Sequence, residues 1–532
     1  MTFGKKFGSL KQRRALALTG MIGLFSTAAL GCDTVALISF QAREFNTIEA
    51  LGVTPLAGSC DGSDGAAMLR FVMIADDNSP IRPNEVLAGE NIDVTRDDLT
   101  LTNGKLFELP DIQCSAESCV FEEFTCKPAD ESYPASRNRC LREASVDIDG
   151  AVQFESDVTS TQTFAVLIEN SGSLDGWLPS DIGGKYPDLD ADGFADPTAT
   201  TDVNLKTSRA TDRTGNRKVA VGAAAQKWST IAKLAAGEDR KTTFGAWQFS
   251  GTSTAGVQSL VARVTPNQQV WTEQALAAEN SIAELTDPVQ DRANVYQAMA
   301  EVLENDLAAA EIAANDKTLV VFVDGPDDLR LNAYDLERVI TAAKAAGVRI
   351  FIVQLDQAVA TTDISGVPLF RDDPRYIEDQ DNCASDADCR NYEECRQPIN
   401  YSSTPGGAVE SPAVGTYCLP ARDDNGRIGP IQDYQRLACE TEGAYIYVPS
   451  SNGLRNRMQW LPFTMDGLWK VETVIDALEN GQVAGKEPYK VQSDFSVTLG
   501  GRSKTFSFSQ SGDPLAGPQD EDQDTRTVIF SK

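Results

Sequence analysis

The chain has 532 residues, with 78 acidic and 47 basic side chains, a formal charge of −31 and no histidine. The missing histidine removes Ser-His-Asp and Cys-His catalysis and the usual catalytic zinc ligand sets. A surface this acidic excludes phosphate neutralisation on nucleic acid, or attraction to an anionic membrane face, as the basis of binding. The length suggests two to four domains, and 41% hydrophobic with 23% charged residues is a globular composition.

Lys5, Lys6, Lys11, Arg13 and Arg14 form a basic stretch ahead of an apolar run over residues 15–30, which is short for a membrane span. The run ends at Ala29-Leu30-Gly31-Cys32, which resembles a bacterial lipobox. Residues 1–31 therefore read as a lipoprotein signal peptide, with Cys32 carrying the lipid after export to the cell envelope. That segment holds five basic and no acidic side chains, so the mature chain carries −36.

Ten cysteines remain, in two groups: Cys60, Cys114, Cys119, Cys126 and Cys140, then Cys383, Cys389, Cys395, Cys418 and Cys439. Outside the cytoplasm these are expected to be disulfides. Each group is odd, so complete pairing requires at least one bridge between them. The C-x5-C-x5-C spacing from Cys383 to Cys395 is unlike the C-x2-C of zinc ribbons, and predicts a disulfide-stapled minidomain. Cys439, just ahead of the last strand of the central region, is a candidate for tying that minidomain to the core.

Residues 32–160 read as β-rich. Residues 68–76 are strand-like, and Asn103-Gly104 and Asp149-Gly150 each sit between alternating runs, the signal for a hairpin. From 161 to 467 short apolar runs recur at 163–168, 243–249, 318–323, 349–355 and 444–448, as in parallel strands buried on both faces. Helical patterns lie between them at 217–236, at 290–313 (Val295, Met299, Val302, Leu303 and Leu307 on one face) and at 333–346, stopping at Gly347. The expected fold is a doubly wound, Rossmann-like α/β domain, with residues 257–264 as an antiparallel edge strand. Two insertions interrupt it, an Asp-rich loop at 178–215 and a Cys-rich segment at 360–430. Residues 468–532 return to β, with a hairpin about Gly500-Gly501. The economical arrangement is one β-sandwich built from both ends, flanking the α/β domain; two separate β domains are the alternative.

Ligands of open α/β sheets bind beyond the carboxyl ends of the strands. Glu169-Asn170-Ser171-Gly172-Ser173 follows the first strand and Asp324-Gly325-Pro326-Asp327-Asp328 the third. Carboxylates and hydroxyls converging there are hard oxygen donors, suited to Mg²⁺ or Ca²⁺. The alternative is that the serines cap loops and Asp324 caps a helix. In the first insertion, Asp188, Asp190, Asp192 and Asp196 around Gly193 repeat the first half of an EF-hand-type calcium loop, without a glutamate at the twelfth position, Ala199. An acidic surface loop is the alternative there.

The stretches VLIENSGSL, VVFVDGPDD and GAYIYV resemble a von Willebrand factor type A (vWA) domain over about 161–467, less the insertions. The resemblance implies a metal-ion-dependent adhesion site built from Asp-x-Ser-x-Ser, a threonine on a second loop, and an Asp-Gly on a third. Ser171, Ser173 and Asp324 fall on the matching positions. Glu169 stands where the family has Asp, and Ala293, which offers no oxygen, stands where it has Thr; Asn294 and Asp291 are the nearby oxygen donors. Together with the lipobox and the missing histidine, the resemblance implies a non-enzymatic, lipid-anchored envelope protein that binds another protein or a surface, with divalent metal assisting. A structural or envelope-assembly scaffold whose metal site no longer works is the alternative.

Overall fold

The computed structural model describes residues 45–55, 60, 66–76, 80–81, 86–87, 90–91, 99–113, 125–127, 139–142, 146–154, 161–176, 210–237, 240–251, 256–289, 292–309, 316–327, 333–357, 382–385, 388–389, 393–396, 416–420, 428, 431–448, 450–465, 468–475, 489–499, 502–508 and 529–530. Cys32 and the segment ahead of it, Asp188, Asp190, Asp192 and Asp196, Asp291, Cys114 and Cys119 lie outside the described residues. Among the described residues eight strands come first: β1 (Phe45–Pro55), β2 (Ala66–Ala75), β3 (Val86–Leu87), β4 (Glu90–Asn91), β5 (Leu99–Gln113), β6 (Thr125–Lys127), β7 (Arg139–Arg142) and β8 (Val146–Phe154).

The α/β region follows. Its strands are β9 (Thr161–Glu169), β10 (Lys241–Phe249), β11 (Gln258–Ser259), β12 (Asp316–Val323), β13 (Val348–Leu355), a separate antiparallel pair β14 (Glu393–Arg396) and β15 (Tyr417–Pro420), and β16 (Ala444–Val448). Its helices are α1 (Asn216–Gly237), α2 (Val261–Val264), α3 (Ala275–Ala283), α4 (Val295–Glu301, continued by a π-helical turn over Val302–Leu307), α5 (Leu336–Ala346), α6 (Gln432–Glu440) and α7 (Ser451–Met458). The six-stranded sheet has the order β11-β10-β9-β12-β13-β16, all parallel except β11.

Burial on both faces explains the solid apolar runs. Phe164, Val166 and Ile168 of β9 enter one core with Val221 and Trp228 of α1, Ile282 of α3 and Leu454 of α7. Ala165 and Leu167 enter a second core with Met299 of α4, Val339 of α5 and Leu437 of α6. Each large side chain so buried contributes roughly 1.5–3 kcal/mol. Asp335 starts α5 by accepting a 2.8 Å bond from the Arg338 N–H, and Gly347 ends it in the left-handed region at φ 65°. Gly443, at the entry to β16, is fixed by close approach: a Cβ there would lie 1.7 Å from the Ile350 carbonyl oxygen.

The edge strand expected over 257–264 is cut to the two residues of β11. Only Trp247 and Gln248 of β10 pair with it, after which the chain turns into α2 and buries Leu260 and Val261 in the first core. The helix expected over 290–313 begins at Val295 and ends at Leu307, with all five of its named apolar residues buried.

The chain closes with β17 (Leu468–Ile475), β18 (Tyr489–Leu499), β19 (Arg502–Phe508) and β20 (Ile529–Phe530). Strands from both ends share two antiparallel sheets, β1-β2-β17-β8 and β19-β18-β5-β7-β6, with β20 also on β18. The sheets touch where β1 meets β19 and β5 meets β8. Neither hairpin expected in the N-terminal segment forms. Asn103-Gly104 lies inside continuous β5, in the register shift between Thr102 and Leu106 opposite β18; Gly150 lies inside β8, in the shift between Asp149 and Gln153 opposite β17. Long partner strands hold each run straight, and the turn residues become bulges. The Gly500-Gly501 loop does join a hairpin, with Leu499 opposite Arg502. No described helix is long and apolar enough to cross a membrane.

Candidate functional site

β9 and β12 are neighbours, so their carboxyl ends bring Glu169 and Asp324 together although 155 residues separate them. The Asp324 N–H donates to Glu169 Oε2 at 2.9 Å. Ser171 Oγ lies 2.5 Å from Glu169 Oε1 and 2.8 Å from Ser173 Oγ. Ser173 Oγ donates to Asp324 Oδ2 at 2.7 Å and to Oδ1 at 3.0 Å. The cup has a buried floor, with Glu169 and Ser171 each 1% exposed and Asp324 5%, and a solvent-facing rim at Ser173.

A fifth oxygen-bearing side chain is that of Thr211, whose hydroxyl donates to Asp324 Oδ2. Two successive backbone bonds dock this segment on the first loop: Thr211 N–H to Ser173 O and Asp212 N–H to Leu174 O, both 3.0 Å. Asp212 then accepts from the backbone N–H groups of Asn216 (2.8 Å) and Arg217 (3.1 Å), opening α1. Buried Arg217 pairs with Asp212 at 3.5 Å and donates to Asn170 Oδ1 at 2.6 Å. Asn170 in turn donates to Thr286 Oγ1 at 2.9 Å and to the Asp287 carbonyl at 3.2 Å. The first loop is thereby braced from α1 and from the segment after α3.

The second loop bonds the first at Asn170, but among the described residues it sends no hydrogen bond to Glu169, Ser171, Ser173 or Asp324. Ala293 is buried, and Asn294 sends its Nδ2 to Gln297 Oε1 at 3.2 Å while its Oδ1 is buried without a partner. On the third loop it is Asp327, and not Asp324, that serves a helix: its Oδ1 accepts from the Tyr296 N–H at 3.2 Å, in the first turn of α4.

The proton inventory of the cup is short by one. Three hydroxyls bring three protons to four pairs of side chains in oxygen–oxygen contact: Glu169–Ser171, Ser171–Ser173, Ser173–Asp324 and Thr211–Asp324. With Glu169 ionised, Ser171 donates to it, and Ser173 and Thr211 donate to Asp324; the 2.8 Å contact between the serines is left without a proton. The count closes if Glu169 is protonated or if a cation draws the oxygens together. Burial first, then the charge and hydrogen bonding of Asp324, push the Glu169 carboxyl well above the usual range; the Ser171 hydroxyl and the Asp324 N–H pull the other way. Among the described residues no lysine or arginine pairs with either carboxylate.

These donors fit a hard divalent cation. Octahedral Mg²⁺–O bonds of about 2.0–2.1 Å give an edge of about 2.9 Å, close to the 2.5–3.0 Å contacts of the cup. Ca²⁺, with bonds of about 2.3–2.6 Å, would spread the same oxygens further. A cation held here would neutralise two buried carboxylates and leave positions toward the exposed rim for an oxygen from outside the chain.

Among the described residues six cysteines are disulfide-bonded: Cys383–Cys395, Cys389–Cys418 and Cys60–Cys439. The first two staple the β14–β15 hairpin. The Sγ atoms of Cys383, Cys389 and Cys418 lie within 4.8 Å of one another, but sulfurs spent in disulfides are not thiolate ligands. Cys60–Cys439 bridges the two cysteine groups. Cys439 therefore ties α6 to the N-terminal segment and not to the Cys-rich insertion, since the insertion's four cysteines satisfy one another. Cys126 and Cys140 stand opposite each other in the β6–β7 register. The reading of the residues missed Thr211, Asp212, Arg217 and Asn170. The available signal was positional: in a doubly wound sheet the residues just ahead of the helix after β9 return to the carboxyl ends of the strands.

No family model matches the chain, and no curated protein does. Solved structures that it resembles include two crystal forms of proximal thread matrix protein 1 from the mussel byssus. One is matched at 10% identity with a TM-score of 0.21, over 38% of this chain and 38% of that one. The other is matched at 13% identity with a TM-score of 0.22, over 41% and 42%. The chain thus spans about two fifths of the length of these structures.

Proposed function

We propose that this chain is a non-enzymatic, lipid-anchored protein of a bacterial cell envelope, which uses a vWA-like α/β domain to bind another protein or a surface with help from a divalent cation. The observation that carries the reading is the meeting of Glu169, Ser171, Ser173 and Asp324 at the carboxyl ends of two adjacent parallel strands. Those four residues, read from two distant stretches of sequence, would hold the cation, with Mg²⁺ the better fit. The cation would supply an electrophilic contact for an acidic oxygen of the partner. The anchor rests on the sequence around Cys32, and the binding surface on the exposed rim at Ser173.

The test is a native pull-down from envelope fractions with the full-length protein, in Mg²⁺ and in chelator. The expected result is a partner recovered in Mg²⁺ and lost both in chelator and in Ser173→Ala. A partner retained in chelator, or none recovered, overturns the reading. Cys32→Ser is expected to release the protein from the membrane fraction; unchanged fractionation overturns the anchor.

The scaffold alternative has one observation in its favour: with a single proton on Glu169, the cup closes its own hydrogen bonds and needs no cation. Chelator-indifferent assembly is its expected outcome.

A further inference from the structure

We propose that Thr211, brought back to the sheet by the chain leaving the Asp-rich insertion, is a cation ligand that supplies the hydroxyl Ala293 cannot, so that cation binding is coupled to the docking of the first turn of α1. The inference rests on the cation-binding reading of the cup. Three observations carry it. The Thr211 hydroxyl bonds the same Asp324 Oδ2 that Ser173 bonds, so it extends the row of oxygens by one at its open end. Its backbone is held in place by the Thr211-to-Ser173 and Asp212-to-Leu174 bonds, so the hydroxyl is preorganised. Ala293 is buried and carries only a methyl group, and no hydrogen bond from its neighbour Asn294 reaches the cup.

The arrangement differs in kind from a site assembled from three strand-end loops. The fifth oxygen-bearing residue here lies just ahead of a helix, immediately before the aspartate whose carboxylate holds the first amides of α1. A cation that pulls on Thr211 also tightens Asp212 on Asn216 and Arg217. Loosening that helix start should in turn weaken the site, though less than removing the hydroxyl itself.

The experiment is calorimetric titration of Mg²⁺ into the full-length protein, with thermal unfolding in parallel, because binding to the native state alone raises the midpoint. The variants are Thr211→Val, Thr211→Ser, Ser173→Ala and Asp212→Ala. Native protein and Thr211→Ser are expected to bind alike, and Thr211→Val to bind roughly tenfold or more weakly. Asp212→Ala should weaken binding by a smaller factor. If Ser173→Ala loses binding while Thr211→Val binds like native protein, Thr211 is no ligand and the cup reading stands without it. Equal weakening in Thr211→Val and Asp212→Ala would make Thr211 a tether only, and overturn the inference. If the native protein takes no Mg²⁺, the cation reading falls and the inference with it.

Discussion

Glu169 is a carboxyl group in two roles at once. It accepts the Asp324 N–H and so locks two strand ends together, and it faces a second carboxylate with no basic partner among the described residues. Burial and Asp324 raise its affinity for a proton in the folded state above that in the unfolded chain. The native state therefore binds more protons at this group, and the linkage sign is negative: the contribution of Glu169 to stability is full below the ordinary glutamate range and is lost as pH rises through the raised value. In chelator, native protein is expected to lose stability across that window, measured by urea unfolding at a series of pH values. Glu169→Gln should flatten the slope; an unchanged slope would contradict the buried, proton-hungry carboxyl. At this scale Glu169, Ser171, Ser173 and Asp324 could be read from the chain, because each sits immediately after an apolar run that had to be a strand. Thr211 could not, because an insertion beginning at 178 separates it from the first loop and its place depends on two backbone bonds to Ser173 and Leu174.

Elements with strong local patterns came through best. The five apolar runs are the five parallel strands, each a residue or two longer at its ends except β16, and the helix reaching Gly347 stops where the left-handed glycine stops it. The misses share one cause, which is a partner strand or core overriding a local signal. Asn103-Gly104 is a turn dipeptide that the long partner β18 flattens into a bulge. Residues 257–264 alternate like a strand, but the core takes Leu260 and Val261 into a helical turn. Gly443 is the reverse case, a residue without pattern that decides an element: the Ile350 carbonyl occupies the space of any Cβ. Gly443→Ala is expected to cost about 3 kcal/mol or more, because the obstacle is backbone and cannot rotate away. Chemical denaturation would show it, and a loss below the few tenths typical of surface changes would contradict the packing of β16 on β13.

Across the whole molecule, complete pairing of the cysteines calls for a bridge between the two groups, and Cys60–Cys439 is one. Which cysteines would form it was beyond counting, since pairing follows from the approach of α6 to the N-terminal segment. The bridge closes a sequence separation of 379 residues, so its loss should release much unfolded-state entropy. Cys60→Ser with Cys439→Ser is expected to lower stability by about 2–5 kcal/mol. The two minidomain disulfides should remain intact in that variant, as read by thiol counting; an unaltered unfolding midpoint would contradict the role given to the bridge. The same scale holds the pairing of β17 between β2 and β8, which ties the C-terminal chain into the N-terminal sheet and sets the α/β region between two β segments. That pairing was foreseen only as an economy of cores, because nothing local in residues 468–475 names its partners.

The cup at the ends of β9 and β12 is expected to hold a divalent cation. A crystal structure of the full-length protein soaked in Mn²⁺, an octahedral stand-in for Mg²⁺ that scatters anomalously, tests it most directly. The expected result is an anomalous peak among Glu169, Ser171, Ser173, Thr211 and Asp324, within bonding distance of the Ser173 and Thr211 hydroxyls. A cup whose oxygens keep their mutual hydrogen bonds, with no anomalous peak among them, would contradict it.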